Sequence, residues 1–92
     1  WESAAVIAFW KSDREGRPVN GGSSLRRAVP GLIQKVSGPL AICTDHALHV
    51  TMQPDKWKGE RMWVAALFGE VQRDKDKFGA LQREIIGEIP FH

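Results

Sequence analysis

The chain has 92 residues, with 13 Lys+Arg against 11 Asp+Glu, three His, one Cys, four Trp, four Phe and no Tyr. That length excludes a multidomain enzyme and fits a single small domain over 1–92, while 42% hydrophobic and 26% charged residues exclude a disordered chain. No stretch approaches the ~18 uncharged apolar residues of a membrane span, so no membrane partner is expected. One cysteine cannot close an internal disulfide, so the fold rests on packing and a reducing, cytoplasmic setting is expected. The chain begins at Trp1 rather than Met, which leaves its native start open.

In chain order, the first element is the apolar run at 4–10, rich enough in β-branched and aromatic residues to predict a buried strand. The following 12–31 stretch is basic and Gly-rich, with Asn20-Gly21-Gly22-Ser23-Ser24 at its centre, and reads as a long loop. Ser23 or Ser24 can cap one helical turn through Ala28, which Pro30 stops. A second strand is expected at 32–36, then a turn at Ser37-Gly38-Pro39 and a short apolar run ending at Cys43. Pro54-Asp55-Lys56-Trp57 reads as a single helical turn, because proline suits the first helical position. The strongest strand signal starts at Arg61, with Gly69 as a bulge that lets one ladder run on to residue 73. Asp74-Lys75-Asp76-Lys77 reads as a polar connector. The 78–89 segment fits either a strand or a weak helix, and the two glycines within it favour the strand. The sum is an α+β, mainly β domain: a small antiparallel sheet of four or five strands over 4–10, 32–36, 61–73 and 79–89, with one or two short helical turns.

Charge is unevenly spread. Residues 11–37 hold six basic and two acidic side chains, whereas 47–92 holds seven of each. A basic, glycine-rich loop suits a phosphate, nucleic acid or acidic protein surface, and equally a solvated connector. Asn20, Gly21 and Gly22 can offer backbone N–H groups, with Arg26 and Arg27 behind them, although the loop lacks the Gly-Lys-Ser/Thr ending of a Walker motif. Trp57 beside Lys58 can stack on a base, anchor a protein interface, or fold back as a lid on the sheet. Cys43, His46 and His49 are the right types for a zinc site, but alternate faces if extended; they also supply a nucleophile and a base without the geometry catalysis needs. A buried core thiol and two ordinary histidines satisfy the same pattern. No cofactor and no catalytic set is expected, so the chain reads as a non-enzyme.

Ala8-Phe9-Trp10-Lys11, Gly16, Pro18, Asn20-Gly21-Gly22, Gly38-Pro39-Leu40, Cys43, Ala47-Leu48-His49, Trp57-Lys58-Gly59, Trp63-Val64, Gly69-Glu70-Val71 and Lys77 follow an order that resembles a family of small uncharacterised proteins of phage, prophage and bacterial genomes. The family often has Gly where this chain has Ala47. The resemblance implies a strand after Gly-Glu-Val and a mobile-element context, in which small proteins commonly bind and block host machinery. The expectation is therefore a binding protein, an inhibitor of a host defence system of the anti-CRISPR kind, with a host or phage protein as partner. The alternative is a nucleotide- or nucleic-acid-phosphate module built from Asn20, Gly21, Gly22, Arg26, Arg27, Trp57 and Lys58. Exposed strand edges would also allow a homodimer.

Overall fold

The computed structural model describes residues 3–17, 28–42 and 47–90. They form one antiparallel sheet curled into a half-barrel, almost without helix. In chain order the strands are β1 (Val6–Ser12), β2 (Ile33–Lys35), β3 (Leu48–Thr51), β4 (Arg61–Phe68), β5 (Gln72–Asp74), β6 (Lys77–Ala80) and β7 (Gln82–Ile89), and the spatial order is β2-β7-β4-β1-β3-β6-β5. A 3-10 turn, Pro54–Lys56, is where the sequence places a helical turn. The other expected turn, built on 25–28, lies mostly outside the described residues.

The mainly β reading holds, but seven strands replace four or five. The sequence predicts no element over 48–51, where β3 forms. Its four residues put Leu48 and Val50 on one face and bury them, a period too short to stand out beside Thr44-Asp45-His46. Nor does one ladder run through Gly69. That glycine adopts φ +82° and turns the chain out of β4, so β5 forms on the far edge against β6. The polar connector is the tight turn between β5 and β6, with Lys75 at φ +56°. The 78–89 strand is two strands broken at Leu81, and β7 carries a bulge opposite Val64/Ala65 that leaves Ile86 as the extra residue.

Residues opposite one another in a sheet share a face. Ala8 pairs with Ala65, Trp10 with Trp63, and Leu67 with Arg83, so these side chains fill the inner face together with Val50, Ala80 and Ile85. Ala28 closes onto the same cluster. The Trp63 indole N–H donates to the Ser12 hydroxyl at 2.9 Å, which satisfies both polar groups in a place water does not reach.

The 36–42 segment crosses the gap between the two sheet edges. The Val36 N–H donates to the Leu81 carbonyl at 2.9 Å. Farther on, the Gln72 side chain accepts from the Ile42 N–H at 2.8 Å and donates to the Leu40 carbonyl at 3.2 Å. One amide side chain thereby ties the backbone of 40–42 to edge strand β5.

Candidate functional site

Asn20, Gly21, Gly22, Arg26 and Arg27 lie outside the described residues, as do Cys43 and His46. The two ends of the basic loop are described, and they are pinned together. The Asp13 carboxylate accepts from the Glu15 and Arg17 N–H groups at 2.8 and 2.9 Å, and the Ala28 N–H donates to the Gly16 carbonyl at 2.8 Å. Lys58 is exposed, whereas Trp57 is half-buried against the core cluster. The Trp57 side chain is hydrogen-bonded to Asp76, and its carbonyl accepts from Lys11 Nζ at 3.2 Å. The Thr51 hydroxyl, donating at 2.9 Å, holds the Asp76 carboxyl below its usual range, with smaller help from Lys56 and Trp57. Trp57 is thus partly buried and hydrogen-bonded, not a free stacking face.

His49 is half-buried, and no group of three or more His, Cys, Asp or Glu among the described residues could hold a metal. Burial, then the charges of Arg83 and Lys77, keep its imidazole below the ordinary pKa. The unfolded chain takes up a proton near pH ~6.5 while the folded chain resists it. The stability associated with a neutral His49 is therefore complete above that pH and is lost as pH falls toward the folded value. His49→Gln should flatten the decline in denaturation midpoint between about pH 7 and 5 relative to the parent chain. An unchanged slope would place the decline elsewhere.

Arg83 went unnoticed in the sequence, although it falls on the same strand face as Leu81 and Ile85, a position where a cation is out of place. It is 3% exposed. Nε and Nη2 donate to the Gln34 side-chain oxygen at 3.1 and 2.6 Å, and Nη1 donates to the His49 carbonyl at 2.8 Å. The guanidinium lies 4.5 Å from the centre of the Trp10 ring. Burial pushes its pKa down to about 9, so it keeps its charge at neutral pH, and no carboxylate among the described residues forms an ion pair with it. It ties β7 to β2, β3 and β1 at once. With both acceptors neutral and internal, this is a fastening inside the half-barrel rather than an open anion site.

The opposite face of the central strands has a different character. Register sets three rows across β1, β4 and β7: Lys11, Met62 and Ile89; Phe9, Val64 and Gly87; Ile7, Ala66 and Glu84. Phe9, Met62, Val64 and Ile89 are half-buried, Ile7 is 50% exposed, and beyond β7 Ile33 is also 50% exposed. Nothing lies within 4 Å of where a Gly87 side chain would begin. An outer sheet face in a small domain normally alternates to polar groups. Here seven of the nine positions are apolar or glycine.

No family model, curated protein or solved structure matches this chain.

Proposed function

We propose that this chain is a non-enzymatic protein-binding module that works through the outer face of β1, β4 and β7. The observation that carries the proposal is the apolar three-by-three array centred on Val64, set on the most firmly paired strands of the sheet. A contiguous apolar sheet face, half-buried at Phe9, Met62, Val64 and Ile89 and exposed at Ile7, is the kind of surface that marks an interaction site on a small domain. A rigid strand array also binds without losing conformational entropy. In the phage or mobile-element setting that the motif order implies, such a face would act by covering a host protein, as an inhibitor of a defence system does. Of the phosphate-binding alternative the structure describes only Trp57 and Lys58, and the Trp57 side chain is bonded to Asp76, which makes it a poor stacking face.

The test is affinity capture from host lysate with the parent chain, Val64→Lys and Ile7→Lys, each verified as folded by circular dichroism. A stoichiometric partner held by the parent chain and weakened about tenfold or more by either lysine, roughly 1.4 kcal/mol, is the expected result. Equal retention by all three proteins would remove the face from the account.

A further inference from the structure

We draw no further inference here: the strongest candidate, the stretch of β7 beyond Ile85 that β2 leaves unpaired among the described residues, is interrupted by the bulge at Ile86 and ends at Pro90, and nothing in the structure shows what covers it.

Discussion

Replacing Arg83 with methionine is expected to lower the unfolding free energy by about 2–3 kcal/mol, in spite of removing a buried charge. The substitution removes the hydrogen bonds that Arg83 donates to the Gln34 side-chain oxygen and the His49 carbonyl, at roughly 1.5–3 kcal/mol for each bond to a charged group. It also removes the cation from the face of Trp10, an interaction worth about 0.5–2 kcal/mol. Against these losses stands relief from burying a guanidinium with no carboxylate partner among the described residues, which offsets part of the cost. Arg83→Lys should fare little better, since one ammonium cannot span β2 and β3 while lying flat on an indole. Urea unfolding of the three proteins decides the matter. Equal midpoints would mean that the half-barrel holds its edges without this side chain.

Gly59→Ala should cost a similar amount, about 1–3 kcal/mol, for a different reason. A methyl group there would sit 2.6 Å from the Lys11 Cβ and 3.0 Å from the Ser12 carbonyl oxygen. Neither atom is the far end of a flexible side chain: both belong to β1, which is paired on each side. The backbone φ of +155° adds to the strain. The chain would have to lift away, breaking the bond from the Glu60 N–H to the Ser12 carbonyl at 2.9 Å and loosening Trp57. Gly87→Ala is the control, with open space above it, and should stay within about 0.5 kcal/mol when measured on dilute protein. If the two alanines behave alike, the close crossing at Gly59 is not what holds 57–60 in place.

The central strands were legible because their patterns are long. Ala8, Trp10, Trp63, Ala65 and Leu67 alternate with outward residues, and β1 and β4 pair over their whole length. Edge strand β2 was legible at 32–36, but β3, β5 and β6 were not, because strands of three or four residues give periodicity too little to work with, and the positive φ at Gly69 reads the same as a bulge until the destination of the chain is known. The candidate site was harder still. A basic loop and a tryptophan turn attract attention because their residue types carry chemistry, whereas the array around Val64 exists only once register has put Phe9 beside Val64 and Val64 beside Gly87. No spacing within any one strand announces it. Arg83 alone left a trace, as a charge on the apolar side of its own strand.

The 36–42 crossing bears on how this protein behaves when concentrated. Unpaired strand edges invite other chains to add on, and each addition exposes a fresh edge, so growth runs on into fibres. Here β2 and β5, the two edge strands, are only three residues long each. The segment joining them is fastened at Leu81 and Gln72, and the latter already bonds Leu40 and Ile42. An incoming strand thus finds no long row of free amide groups to template it. Solutions of this chain should stay clear and free of thioflavin-binding polymer at concentrations where an open-edged sheet of the same size would gel.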